Sequence, residues 1–177
     1  MRKLAVFILF AALLSSILPM TIAADDLRAS VDARETGVVT GLPLPRFVSL
    51  RSDTVYVRSG PGMRYPVKWV YQRREYPLQI TQEFDTWRKV RDIDMEEGWV
   101  HQSLLSGNRH VLIRGDGPAT MYRKPASDAR AVAQVEPGVV AKFDECEDTW
   151  CKVSVSGYEG WLLKDLLWGV YEHEESK

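Results

Sequence analysis

The residues best suited to chemistry in this chain are aromatic and cationic rather than nucleophilic. Tyr56, Tyr65, Pro66, Trp69, Tyr71 and Tyr76 gather around the turn Ser59-Gly60-Pro61-Gly62, with Arg58, Arg64, Arg73 and Arg74 among them. Aromatic-lined grooves hold extended peptides, and guanidinium forks pair with carboxylates. Trp87 and Lys89 form a second combination: two apart in a strand, they share a face, opposite Val90. An indole beside an ammonium on an outer face can take a sugar or peptide by stacking and hydrogen bonding. The candidate ligand contacts are therefore Tyr56, Arg58, Tyr65, Trp69, Tyr71, Trp87 and Lys89. Each has a structural alternative. Half of the rings can belong to a core with the arginines as a solvated rim, and Trp87 can plug the end of a small barrel.

Catalysis finds little support. Asp144, Glu145, Glu147 and Asp148 are near-consecutive acids that read as a solvated turn, whereas paired-carboxylate hydrolysis needs two groups in different environments across a cleft. Neither GxSxG nor HExxH occurs, no free cysteine stands beside a histidine, and Gly60-Pro61-Gly62 lacks the lysine of a phosphate loop. His101, His110 and His173 are too scattered to complete a metal site with the two cysteines. No catalytic residue, metal or cofactor is expected.

The tryptophan block itself is duplicated. Asp85-Thr86-Trp87-Arg88-Lys89-Val90 and Gly98-Trp99-Val100 return as Asp148-Thr149-Trp150-Cys151-Lys152-Val153 and Gly160-Trp161-Leu162. The offset is 63 residues for the first part and 62 for the second, so the turn between them differs by one residue. Two related modules of about 60 residues follow. Trp150 and Lys152 repeat the phase of Trp87 and Lys89, and Trp150 has the same two alternatives. Glycine before Trp99 and Trp161 permits close backbone approach, which favours packing of those rings against a neighbouring strand.

The elements that must carry these residues are short strands separated by turn signals. In the first module they are Val48–Leu50, Val55–Val57, Val67–Tyr71, Leu78–Ile80, Trp87–Arg91 and Trp99-Val100, then one helical turn before Gly107. The second follows the same order, with a hairpin from Trp150 to Leu162 turning at Ser156-Gly157. No segment after residue 23 has a persuasive helical stripe. Five or six short strands in about 60 residues predict an all-β chain of two small closed barrels.

Residues 1–23 read as a secretory signal peptide: Arg2-Lys3, an apolar run from Leu4 to Leu18, then Thr21-Ile22-Ala23. The run is short for a membrane span, which needs about 20 apolar residues; an uncleaved anchor is the alternative. Residues 24–45 end in Thr40-Gly41-Leu42-Pro43-Leu44-Pro45 and read as an extended linker packing on the first module. The modules then occupy 46–107 and 108–172, followed by a tail at 173–177. In an exported chain, Cys146 and Cys151, flanking a polar turn, favour a disulfide. Without Arg2 and Lys3 the chain has 21 basic and 24 acidic residues. The first module is mildly basic and the second acidic, unlike the strong basic face of a nucleic-acid reader.

Val55-Tyr56-Val57-Arg58-Ser59-Gly60-Pro61-Gly62, Trp87-Arg88-Lys89-Val90 and Gly98-Trp99-Val100 together resemble the bacterial SH3-like (SH3b) domain. The second copy matches at its hairpin; Cys146, Trp150-Cys151 and Leu167-Trp168-Gly169-Val170 resemble an exported tandem subgroup. Its Tyr122-Arg123-Lys124-Pro125-Ala126 departs from the Ser-Gly-Pro-Gly turn. The resemblance implies tandem SH3-like barrels and a non-catalytic, periplasmic or secreted binding protein. The implied ligand is peptidoglycan, glycan or stem peptide, or another cell-envelope component. The alternative partner is an extended segment of an envelope protein. The first module, richer in aromatics, is the expected binder.

Overall fold

The computed structural model describes residues 35–172 and 174. The signal peptide expected over 1–23, the start of the linker and most of the tail lie outside the described residues. Alternating apolar and polar residues put one face of each strand in a core, as period-2 patterning requires. In the first module the strands are β1 (Arg46–Leu50), β2 (Val55–Arg58), β3 (Val67–Tyr71), β4 (Pro77–Phe84), β5 (Trp87–Arg91), β6 (Glu97–His101) and β7 (Leu105–Ser106), with a 3-10 turn at Gln102–Leu104. The second has β8 (His110–Ile113), β9 (Ala119–Tyr122), β10 (Ala131–Val135), β11 (Val140–Glu147), β12 (Trp150–Val155), β13 (Tyr158–Leu163) and β14 (Leu167–Trp168), with a 3-10 turn at Lys164–Leu166.

Each module is a seven-stranded antiparallel sheet, and the two share one order: β3-β2-β6-β5-β4-β1-β7 and β10-β9-β13-β12-β11-β8-β14. The duplication read from the tryptophan block is thus a duplication of topology. Neither sheet closes on itself, so they are barrels only loosely. The outer strands explain this: β3 is bulged and mostly exposed, and β7 and β14 are two residues long. Each sheet folds around its own core. One holds Leu50, Val55, Val57, Leu78, Ile80, Val90 and Val100; the other holds Val111, Ile113, Met121, Val153 and Leu162.

The close approach expected at the glycines is present on this core side. A Cβ at Gly98 would lie 2.3 Å from Val57 Cγ1, and one at Gly160 would lie 2.6 Å from Met121 Cγ. Cys146 and Cys151, paired across β11 and β12, form a disulfide.

Residues 35–45 do not run as an extended lead-in. Thr36 bridges Pro43, and the Gly37 amide donates to Leu42 O at 2.8 Å, folding the segment into a turn. Leu44 then enters the first core. Glu83, whose side chain is fully buried, fixes the turn by accepting from the Val39 and Thr40 amides and the Thr40 hydroxyl at 2.7–3.0 Å. A carboxylate is the natural partner for such converging amides, because it only accepts.

The two modules are locked through Arg109, one residue before β8. Its guanidinium packs 4.4 Å from the Phe143 ring, 5.3 Å from Tyr171 and 6.0 Å from Phe47. It also donates to Gly169 O and pairs with Glu174. Around it, the Tyr171 hydroxyl accepts from the Phe47 amide at 2.9 Å, and Ser49 Oγ accepts from the His110 amide at 2.9 Å.

Candidate functional site

Register divides the aromatic cluster predicted in the first module between two faces. Val57 pairs with Trp69 and Val55 with Tyr71, so both rings lie on the core side, half-buried against that core. Tyr71 stacks on Tyr76 at 5.3 Å and donates its hydroxyl to Asp92 Oδ2 at 2.7 Å. Burial first, then the Asp92 carboxylate, pushes the Tyr71 phenol far above its ordinary value. Burial, Asp92 and Asp94 push Tyr76 up to about 12. Both remain phenols at neutral pH, and Asp92, itself buried, is held by the Asp94 and Glu96 amides. Trp69, Tyr71 and Tyr76 therefore form a braced wall of the module.

Tyr56 lies on the opposite face, paired with Val70 and 53 % exposed. Arg58 is on that face too, but its guanidinium donates to Met63 O and Tyr65 O at 3.2 and 2.8 Å, bracing the turn over 59–66. Tyr65 lies against Gly60 inside that turn, with the Arg64 guanidinium 5.1 Å from its ring. Lys89 is paired with Glu97 at 2.6 Å. Pairing with Lys89 and with the half-buried Arg91 holds the Glu97 carboxyl below the usual range. Trp87 has the outward phase that strand alternation gives it, yet is only 8 % exposed, edge-on to His101 at 5.5 Å. Trp150 repeats this, 9 % exposed and edge-on to Tyr122. Neither indole offers an open face.

The ring placed at the centre of the outer face is Trp99. Arg58 pairs with Trp99, and Trp99 with Lys89, giving a row across β2, β6 and β5. Trp99 lines a groove of about 420 Å³ with Pro61 on one side and Thr81, Gln82 and Phe84 of β4 on the other. Val38 and Leu44 of the 35–45 turn complete it. Arg58 and Lys89 were expected at such a face, and Tyr65 beside Pro61 in the turn supports one wall. Trp69 and Tyr71 are not part of it. Sequence reasoning favoured packing for Trp99, but a signal was present: Gly98 and Val100 flank it, and both must face the core, which forces Trp99 outward. The contribution of the 35–45 turn had no such signal.

Chemically, the groove offers an indole, apolar walls, neutral hydrogen-bonding side chains and the exposed acidic Glu35, with Glu83 committed to structure at its edge. Hydrogen bonds from Thr40, Arg46 and Val39 overcome the upward push of burial and hold Glu83 at about 2. Among the described residues, no group of three or more His, Cys, Asp or Glu side chains is placed to hold a metal ion. No helix among them is long and apolar enough to cross a membrane.

Comparison with solved structures finds NlpC2 and NlpC1 from Trichomonas vaginalis, each 16 % identical, with TM-scores of 0.35 and 0.33. The matches cover 75 % of this chain but 51 % and 48 % of those chains, so the chain spans about half the length of the structures it matches. No curated protein sequence matches it. The profile of the bacterial SH3 domain matches twice, over residues 51–107 and 115–169, and so takes in the strands and turns that build both outer faces. The chain belongs to the bacterial SH3 domain family and carries two copies of the domain in tandem.

Proposed function

We propose that the chain is a non-catalytic, exported binding protein whose first module recognises peptidoglycan or another cell-envelope component in the groove at Trp99. The observation that carries this is the groove itself: a half-buried indole flanked by Pro61, Phe84, Val38 and Leu44, with Thr81 and Gln82 supplying polar contacts. Binding sites of this kind pair an apolar surface with a few placed polar groups. Membership of the bacterial SH3 family and the signal pattern of residues 1–23 support an envelope ligand. Incubation with purified sacculi followed by centrifugation tests the proposal. The protein co-sediments at low salt, and Trp99→Ala weakens binding at least about tenfold, as loss of an aromatic anchor does. A wild-type protein left in the supernatant refutes it.

One observation favours a second reading, an adaptor that binds an extended segment of an envelope protein. The edge strand β3 exposes Val67 and Val70 beside Tyr56, and edge strands can accept an added strand. Cross-linking in cells with identification of the captured partner separates an adaptor from a glycan binder.

A further inference from the structure

The two modules differ most informatively at a bulge. In the first, Val57 pairs with Trp69 and Arg58 with Val67, leaving Lys68 as the extra residue. In the second, Met121 pairs with Ala133 and Tyr122 with Ala131, leaving Val132. A bulge re-aims its extra side chain. Lys68 uses that freedom to span to the next strand but one, donating to Glu97 O at 2.8 Å with its ammonium 4.8 Å from the Trp69 ring. Val132 is too short to do this. Beside it lies an open depression of about 430 Å³ lined by Arg123, Val132, Lys152, Glu159, Gly160 and Trp161.

We propose that this depression is a second ligand site, in the second module, that takes a sugar bearing a carboxylate. Trp161 stands where Trp99 stands in the first module, paired with Lys152 as Trp99 is with Lys89. Its indole and Val132 provide an apolar surface for the C–H face of a ring. Lys152 and Glu159, joined in an ion pair, present a donor and an acceptor for hydroxyls. The Arg123 guanidinium is exposed and has no hydrogen bond or ion pair to any described residue. A free guanidinium fork is suited to a carboxylate. Lys152 is paired with Glu159 and faces Glu145 across β11 and β12, so Arg123 is the cation of the site left to meet a carboxylate. From residue 110 onward the chain has eight basic and twelve acidic residues, so a cation here opposes the general charge of its module. The inference rests on the envelope-glycan reading above but uses residues that reading does not.

The test is NMR of the labelled full protein titrated separately with N-acetylmuramic acid, N-acetylglucosamine and D-alanyl-D-alanine, following the indole N–H of Trp161. The carboxylated sugar shifts that signal saturably, and the uncarboxylated sugar binds at least about tenfold more weakly, the usual scale for a charge-assisted hydrogen bond. Arg123→Gln removes this preference, and Val132→Lys, which installs the first module's arrangement, removes the response. A silent Trp161, equal response to both sugars, or a response to the dipeptide alone overturns the assignment. If Trp161 is silent while wild-type protein still sediments with sacculi through Trp99, only this site fails. If sedimentation fails but Trp161 responds, the first-module proposal fails and this site stands.

Discussion

Replacing Glu83 by glutamine removes the charge on which the 35–45 turn is built. In the wild type, one carboxylate accepts from the Val39 amide at 3.0 Å, the Thr40 amide at 2.9 Å, the Thr40 hydroxyl at 2.7 Å and Arg46 Nη2 at 2.6 Å. Arg88 Nε lies 3.6 Å away, and both Glu83 and Arg88 side chains are buried. A Cβ at Gly37 would sit 2.3 Å from Glu83 Oε2, so the backbone of the turn closes directly on the carboxylate. The glutamine amide turns one acceptor into a donor facing these donors, and leaves Arg46 and Arg88 without their counter-charge.

The size of the effect follows from two routes. Holding the carboxyl at about 2 instead of its ordinary 4.5 corresponds to roughly 3 kcal/mol of stability at neutral pH. Breaking a buried ion pair from one side costs about 3–5 kcal/mol. Because the folded-state value is depressed, this stability is present above about pH 4.5 and is lost as the pH falls through about 2. Urea unfolding of wild type and Glu83→Gln at a series of pH values is the assay. The expected difference is about 3 kcal/mol at pH 7, shrinking below about 1 kcal/mol near pH 2, where the wild-type carboxylate protonates too. Hydrogen exchange at the Val39 and Thr40 amides should accelerate in the variant, since these lose their acceptor. A difference below about 0.5 kcal/mol at pH 7, or one that does not change with pH, refutes the account of Glu83 as the anchor.

Removing the disulfide with Cys146→Ser and Cys151→Ser should cost about 2 kcal/mol by the loop-entropy estimate for so short a loop, read as a lower urea midpoint with the Trp99 groove still binding. Asp92→Asn should bring the Tyr76 phenol down from about 12 without restoring 10.0, because burial is the larger cause. Spectrophotometric titration reads that change directly. A raised phenol value means stability is intact below about pH 10 and declines as the pH climbs through about 12, so this variant should also flatten the alkaline loss of wild-type stability.

Local pattern was enough for most of the fold. Strand alternation placed Val55, Val57, Val90 and Val100 inward, and the spacing of the tryptophan block announced the shared strand order. What escaped depends on groups distant in sequence. Glu83 lies 43 residues from Thr40, and nothing local to either marks them as partners. Closure failed as an expectation because strand number alone does not decide whether edge strands meet; bulges at Lys68 and Val132 turn those edges away. The candidate site was half legible. Proximity in sequence joined Tyr56, Trp69 and Tyr71, but one residue of phase separates Tyr56 from the other two, and that phase assigns them to opposite faces.

The same alignment of phases explains why the two copies can differ in function while sharing a fold. Glu83 pairs with Arg88 across β4 and β5, and Cys146 pairs with Cys151 across β11 and β12, each pair 63 residues from its counterpart. Both positions face inward at one end of a sheet, and each must be satisfied there. A disulfide carries no carboxylate oxygens with which to gather several amide donors at once. A carboxylate beside one arginine keeps acceptor capacity to spare, and the first module uses it to draw in Val39 and Thr40. That turn supplies Val38 and Leu44 to the wall of the Trp99 groove. The carboxylate at this buried cross-strand pair is thus what holds the extra wall on the first module. The second module has an open depression on the other flank of the equivalent tryptophan, at Val132. Exchanging the pair alone would therefore release the 35–45 turn from the first module without conferring it on the second, because that turn leads directly into β1.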